Sequence, residues 1–482
     1  MSTKEEKPQL AGVRLKTRKR NIVVPHDPQS FADAVIDVIN DAKEAEGVTD
    51  ISGLDKVLEA TTKALDSAEL DFSRYGDVLF EVAFAGGRLT TGANVSAEGK
   101  RLEWTILGGP LDRESIDPFV RWFQVMIRRR PFLVKNLENT LVKLLLSLEF
   151  YDDEGRQRIA LALARIFSRK VGVLPDRVLP TVLVDRLVSR GTVLQFATAF
   201  FRDLIETDGV DGLLEVLRRA KLENRLLEFF PQQRRSWTEF DAHFEAAGLG
   251  ELVAYNKRKL YDAHVAQLRA LVAGAPAPDV AAEGDQLGLR APGAGGAPGV
   301  AAAGSAASLE ADEAAAAAAD QTPGELLSEI RARAAEWKVE PADALRSAYL
   351  GLVDRALVGL AGRGQHQAAM AVLRTLKRYS GVLEALASTP RLEAGLLQTI
   401  QIGCYEEPRL LKSFRDIVKV LYDEDVIGEP AIRFWYTKGS HPKGRNVFLQ
   451  DMEPFITWLD EAEEEDDSEE EDDDDESDDE QK

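Results

Sequence analysis

The 482-residue sequence is poor in cysteine and histidine, the side chains that build most zinc sites and thiol chemistry. Its single cysteine, Cys404, excludes an intramolecular disulfide and a multi-cysteine zinc site. None of the five histidines has another at helical ligand spacing. We therefore expect neither a metal nor a cofactor, and we interpret Cys404 as a small core residue.

Catalytic and membrane motifs are missing as well. The glycine pairs at 86–87 and 108–109 are not followed by Gly-Lys-Ser/Thr, so they predict turns and not phosphate loops. The sequence has no Gly-x-Ser-x-Gly element. No stretch approaches the roughly 20 apolar residues of a membrane span, and the N-terminus has no signal-peptide core. These features predict a cytoplasmic protein that is not an enzyme.

Charge is unevenly distributed along the chain, whose net charge is −22. The 21 residues from Asp460 to Glu480 contain 18 acids, which predicts a disordered acidic tail at 460–482 that attracts basic partners. The first 21 residues contain seven Lys or Arg and two Glu. This basic arm, residues 1–25, is either solvated, or acts as a nuclear address, or contacts phosphate or the ribosome through Arg14, Lys16, Arg18, Lys19 and Arg20.

Apolar residues recur at helical spacing along most of the chain, whereas strand-like alternation is scarce. Helices without strands must pack on helices, which predicts an all-α fold, an α-α superhelix of HEAT-like pairs. Between Ala291 and Ala319, 24 of 29 residues are Ala, Gly, Pro or Ser, typical of a flexible linker. The pattern predicts a helical domain at 26–272, a linker at 273–320 and a second helical domain at 321–459. The pair Thr322-Pro323 predicts an N-cap and the first position of a helix.

A leucine zipper is the alternative that a basic region followed by apolar helices suggests. A parallel zipper needs heptads directly after the basic region. Pro25 and Pro28 interrupt any continuous helix there. The sequence therefore disfavours a zipper.

Two segments near the C-terminus, 421–436 and 448–461, mix acids with aromatic rings. Trp435 and Trp458 have spacings that are typical of core rings, whereas the acids cluster where helices end and stay solvated. Rings beside solvated acids suit a basic, amphipathic partner segment. The candidate partner-binding residues are Asp423, Glu424, Asp425, Glu429, Phe434, Trp435, Asp451, Glu453, Trp458, Asp460, Glu461, Glu463, Glu464 and Glu465.

These segments resemble the two-tryptophan (W2) domain that closes initiation factor 5, the epsilon subunit of exchange factor 2B and some forms of scaffold factor 4 gamma. Further segments in the matching order include Lys7-Pro8, Leu70-Asp71-Phe72, Phe230-Pro231 and Lys443-Gly444. Together they resemble the basic leucine zipper and W2 domain proteins, also called initiation factor 5 mimic proteins.

The resemblance implies HEAT-like folds in both domains and binding of the beta subunit of initiation factor 2. The lysine-rich boxes of that subunit would meet Asp423, Glu424, Asp425, Glu429 and the acids from Asp460 onward. It also implies contact with the c subunit of initiation factor 3 and with 40S pre-initiation complexes, competition with initiation factor 5, and tighter start-codon choice. Initiation factor 5 activates GTP hydrolysis through a four-cysteine zinc domain, which a chain with one cysteine cannot build.

Two other functions stay open at this point. One is guanine-nucleotide exchange of the epsilon-subunit type, which a GDP-release assay would distinguish. The other is a general helical adaptor for basic partners. Ser468 and Ser477 lie in acidic runs typical of casein kinase 2 sites, and each phosphate would add roughly −1.5 to −2 charges.

Overall fold

The computed structural model describes residues 26–275, 321–362 and 364–473, with side chains through residue 461. Within these residues no β-strand forms, and Leu89 and Val95 make an isolated bridge. The chain divides into two compact units, Met1–Arg235 and Ser236–Lys482. The predicted all-α fold is confirmed.

The N-terminal unit is built from helices of up to 28 residues. Its α-helices are α1 Pro28–Ala45, α2 Leu54–Ser67, α3 Phe72–Ala85, α4 Arg113–Arg129, α5 Leu133–Leu146, α6 Asp153–Ser168, α7 Pro175–Val178, α8 Asp185–Ser189 and α9 Thr192–Arg219. Short 3-10 turns are formed by Ile51–Gly53, Thr91–Ala93, Leu148–Phe150, Leu179–Val182, Leu226–Phe229 and Gln232–Arg234.

The helices of the N-terminal unit pack in two rows. In one row α1 packs on α3 and α3 on α5, and in the other α2, α4, α6 and α9 follow one another. The rows enclose an apolar core, because each helix buries one face; in α1 that face includes Phe31, Val35 and Ile39. Arg165 on α6 binds Asp117 on α4, which ties neighbours in one row together.

Helix α9 is two helices joined at Gly209. This residue has φ 74° and ψ 177°, a conformation open essentially to glycine alone. The kink changes the direction of the buried face between Phe200 and Leu213, so the helical pattern does not run in phase through the whole element. Gly209 therefore lets one long sequence segment pack as two helices.

The C-terminal unit spans Ser236–Lys482. Its helices are α10 Trp237–Ala246, α11 Gly250–Ala273, α12 Pro323–Trp337, α13 Pro341–Leu357, α14 Gln365–Arg378, α15 Ser380–Leu386, α16 Pro390–Glu406, α17 Phe414–Asp423, α18 Glu429–Phe434 and α19 Arg445–Asp473, with a π-turn at Trp435–Gly439. Helix α11 belongs here because Leu268 and Val272 lie in the same apolar core as the later helices. Helix α19 continues past residue 459, and the predicted domain limits stay predictions.

Helices α11, α13, α16 and α18 form one row of the C-terminal unit, and α14, α17 and α19 pack behind it. Helices α11 and α13 run parallel, since Tyr261 bonds Asp343 near the start of α13 and Arg269 bonds Asp354 near its end. Helix α12 begins at the predicted N-cap, where Thr322 and Glu325 form a capping box. The prediction for Thr322-Pro323 is confirmed.

Several helices end in a Schellman motif whose left-handed residue is lysine instead of the usual glycine. Lys170, Lys221 and Lys338 have φ of 52°, 58° and 54°. The next N–H then reaches back into the helix, as Val171 does to the carbonyl of Ile166 at 3.2 Å. Lysine near a helix C-terminus also offsets the negative end of the helix dipole.

Candidate functional site

Trp435 lies fully buried in the core of the C-terminal unit. Its indole Nε1 donates to Oε1 of Gln401 at 3.0 Å, and its ring lies 5.0 Å from that of Phe414. Gln401 also accepts from the backbone N–H of His441 and donates to the carbonyls of His441 and Lys443 at 2.7 and 2.8 Å. A buried ring presents no contact surface, so the prediction that Trp435 meets a partner directly is corrected: it anchors the loop before α19.

Trp458, in contrast, lies at the surface with 48% of the residue exposed. Its ring stacks on buried Phe455 at 5.6 Å and stands perpendicular to Tyr422 at 6.1 Å between centroids. Tyr422 comes from α17 and Trp458 from α19, which pack on each other. The packing of α17 on α19 therefore sets the angle between the rings of Tyr422 and Trp458. We call the space between these two rings the corner.

Three acids surround Tyr422. Asp423 and Asp425 lie where α17 ends, and Asp425 occupies the left-handed position of a Schellman motif with φ 56°. Glu429 begins α18. Burial, followed by the negative charges of Glu429, Asp423 and Asp425, raises the pKa of Tyr422. We call Tyr422, Asp423, Asp425, Glu429, Trp458 and Asp460 the acid–ring surface.

Arg433 neutralises part of this surface from within the chain. Its Nε and Nη2 bind Glu429 at 2.7 and 2.5 Å, one helical turn away. It also pairs with Asp460, so it joins α18 to α19. Helical spacing in the sequence does not reveal this pair, because Arg433 and Asp460 are 27 residues apart.

Other predicted residues lie elsewhere. Glu424 accepts from Ser380 at 3.0 Å and pairs with Lys377 at 3.2 Å, and these bonds, that of Lys377 first, lower its pKa. Asp451 accepts from the backbone N–H of Arg415 at 3.4 Å. Glu424 and Asp451 thus have structural partners of their own.

Glu453 and Glu461 are exposed on α19, as expected for solvated acids. Several predicted residues lie outside the side chains that the structure describes, and their roles stay predictions. They are Arg14, Lys16, Arg18, Lys19, Arg20, Glu463, Glu464, Glu465, Ser468 and Ser477.

Phe434 faces a groove of about 1240 Å³ between α13, α16 and α18. The groove is lined by half-buried Leu350, Val353, Leu357 and Ile402, with 51% of Phe434 exposed at its edge. Val353 and Leu357 also pack against the apolar core, so helical periodicity alone does not distinguish a core residue from a groove wall. Phe434 lines this groove, whereas Trp458 does not.

The described residues offer no obvious site for a metal or a reactive thiol. No group of three or more His, Cys, Asp or Glu among them could hold an ion. Burial, followed by the charge of Asp451, raises the pKa of Cys404 to about 12. In the same part of the chain, every helix is too short or too polar to cross a membrane.

A family model described as "5MP1/2 HEAT domain" matches residues 15–266, more than half of the sequence. The chain belongs to the eIF5-mimic protein family. A second model, W2, described as "eIF4-gamma/eIF5/eIF2-epsilon", matches residues 392–469 and includes the whole acid–ring surface. The HEAT-like fold and the family resemblance predicted from the sequence are confirmed.

Curated relatives agree with this assignment. eIF5-mimic protein 2-A of Danio rerio is 29% identical over 466 residues, and Protein krasavietz of Drosophila melanogaster is 29% identical over 474 residues. eIF5-mimic protein 2 of Homo sapiens is 28% identical over 466 residues. Each alignment covers 96% of this chain and 97% of the relative. Membership in the eIF5-mimic family indicates eIF5-like translation regulation.

Proposed function

We propose that this protein regulates translation initiation by binding lysine-rich segments of the beta subunit of initiation factor 2 through the acid–ring surface. Binding at this place would compete with initiation factor 5 and raise the stringency of start-codon choice. The c subunit of initiation factor 3 and the 40S pre-initiation complex are further partners in this proposal. Exposed Trp458 beside the carboxylates around Tyr422 is the observation that carries it.

The chemistry of the surface supports a basic polypeptide as ligand. Carboxylates at the ends of helices steer lysines over a distance of roughly 8 to 10 Å, the Debye length near physiological salt. Trp458 adds exposed apolar contact area next to Tyr422, the ring on which the acids act. The protein would compete with initiation factor 5 without activating GTP hydrolysis, because its 482 residues include one cysteine, too few for a four-cysteine zinc site.

The test is the affinity of the full chain for the beta subunit after neutralising Asp423→Asn and Asp425→Asn together. Losing two exposed ion pairs with the partner, each worth about 0.2 to 1 kcal/mol, should lower the affinity roughly two- to thirtyfold. This loss should shrink as salt rises. The matched control is Glu251→Gln with Asp262→Asn, two exposed acids on α11, which removes the same charge.

The control variant should bind like the unchanged protein. Equal affinity of all three proteins at physiological ionic strength would overturn the proposed function. A GDP-release assay on initiation factor 2 distinguishes a binding regulator, which leaves the rate of release unchanged, from an exchange factor, which raises it.

A further inference from the structure

The corner between Tyr422 and Trp458 has the geometry of a cation site. The two rings are perpendicular, with centroids 6.1 Å apart, so a small group in the corner can contact the face of one ring and the flank of the other. Phe455 is buried beneath Trp458 and stacks on it within 24° of parallel, which fixes the indole. The corner is therefore held in place before any ligand arrives.

The charges around the corner favour a cation. Burial, and then the negative charges of Glu429, Asp423 and Asp425, raise the pKa of Tyr422, so these carboxylates act at the ring. The cation–ring contacts that the described residues make in this unit involve Trp337 and Tyr379, and none involves Tyr422 or Trp458. The corner thus combines two ring surfaces with nearby carboxylates, without an internal cation stacked on them.

We propose that this corner seats the ammonium group of a single lysine of the partner segment. The inference rests on the proposed function and deepens it. One lysine of the partner would bind the two rings, whereas the other lysines would bind carboxylates alone. An ammonium on a ring face is attracted by the ring quadrupole, and this attraction does not need its N–H bonds. The seat therefore accepts a methylated lysine, which keeps its charge, and rejects an acetylated lysine, which loses it.

A synthetic lysine-rich peptide, modified at one position at a time, tests the chemistry of the seat against the full chain. At one position, trimethyl-lysine should bind within about twofold of lysine, because cation–π attraction persists. Acetyl-lysine and norleucine at that position should each bind about two- to fivefold more weakly. If trimethyl-lysine weakens binding at every position as much as acetyl-lysine does, the seat does not exist.

Variants of Trp458 test the place of the seat. Trp458→Leu keeps apolar area but removes the ring, and should weaken binding of the unmodified peptide about two- to fivefold, whereas Trp458→Phe should retain most of it. The matched control is Tyr405→Leu, which changes a ring of 49% exposure outside the surface and should not affect binding. Circular dichroism of each variant checks that the helices are intact.

The outcomes separate this inference from the proposed function. Normal affinity of Trp458→Leu, together with weak binding of the Asp423→Asn and Asp425→Asn protein, would overturn the seat and leave the acidic surface standing. An equal loss in Trp458→Leu and Tyr405→Leu would also overturn it, because the effect would then not belong to the corner. Normal affinity in the acid variants would remove both proposals.

Discussion

The side-chain amide of Gln401 holds the indole of Trp435 and the loop before α19 at the same time. One buried amide thus makes four hydrogen bonds, with Trp435, the N–H and carbonyl of His441, and the carbonyl of Lys443. A buried polar group left without its partner lowers the free energy of unfolding by about 1 to 3 kcal/mol. A group near the surface costs less, because it can bond to water instead.

Gln401→Leu should therefore destabilise the C-terminal unit by about 2 to 4 kcal/mol, measured by urea unfolding followed by tryptophan fluorescence. The control is Gln398→Leu on the same helix, whose half-buried amide donates to the carbonyl of Gly439. Its loss should stay near 1 kcal/mol. Similar losses in both variants would contradict a central role for Gln401.

The N-terminal unit depends on an ion pair that is sensitive to acid. Burial acts to raise the pKa of Asp117, but the hydrogen bonds from Arg165 and Arg169 outweigh it and hold the pKa below the ordinary value of 3.8. Asp117 therefore stabilises the fold fully above about pH 4 and loses this contribution as pH falls through its folded pKa. Arg165 is buried and Asp117 is half-buried, so Arg165 regains only part of its hydration when its partner is lost.

We expect Asp117→Asn to cost about 2 to 3 kcal/mol at pH 7 and progressively less as pH falls from about 4 through the folded pKa of Asp117, in urea unfolding at a series of pH values. The pair is only partly buried, which keeps the cost below that of a fully buried pair. Asp55→Asn breaks an exposed pair with Arg121 and should cost under about 1 kcal/mol at either pH. A loss for Asp117→Asn that does not depend on pH would contradict the argument.

The sequence predicts the helices well because most long helices bury one apolar face, and some also have an N-cap signal, as Thr322 illustrates. It does not predict which exposed residues meet, because the contact between Arg433 and Asp460 depends on how α18 packs against α19. Periodicity also cannot separate buried Trp435 from exposed Trp458, since both fit a helical pattern. Periodicity does not predict the break at Gly209 either, because a glycine within a helical pattern does not show whether its φ is positive.

Lysines in left-handed positions offer a way to stabilise the protein. At Lys170 and Lys221, φ is positive, which costs a residue with a Cβ atom about 1 kcal/mol, whereas glycine adopts it freely. Each of Lys170→Gly and Lys221→Gly should raise the melting temperature, with a gain of up to about 1 kcal/mol. Gly248→Ala is the reverse test, because φ is 78° there and a Cβ atom would meet nothing within 4 Å. It should destabilise α10, and a neutral result would contradict the argument.

Arg433 should limit the affinity of the acid–ring surface, because it occupies two carboxylates that the proposed lysine-rich partner would otherwise bind. Arg433→Gln frees Glu429 and Asp460, and should raise the affinity for the beta subunit of initiation factor 2 by about two- to fivefold at low salt. Arg258→Gln, at an exposed site on α11, changes the net charge equally and should leave affinity nearly unchanged. Titration at two salt concentrations measures both. If Arg433→Gln binds more weakly than the unchanged protein, Arg433 holds the two acids in position for the partner and does not compete with it.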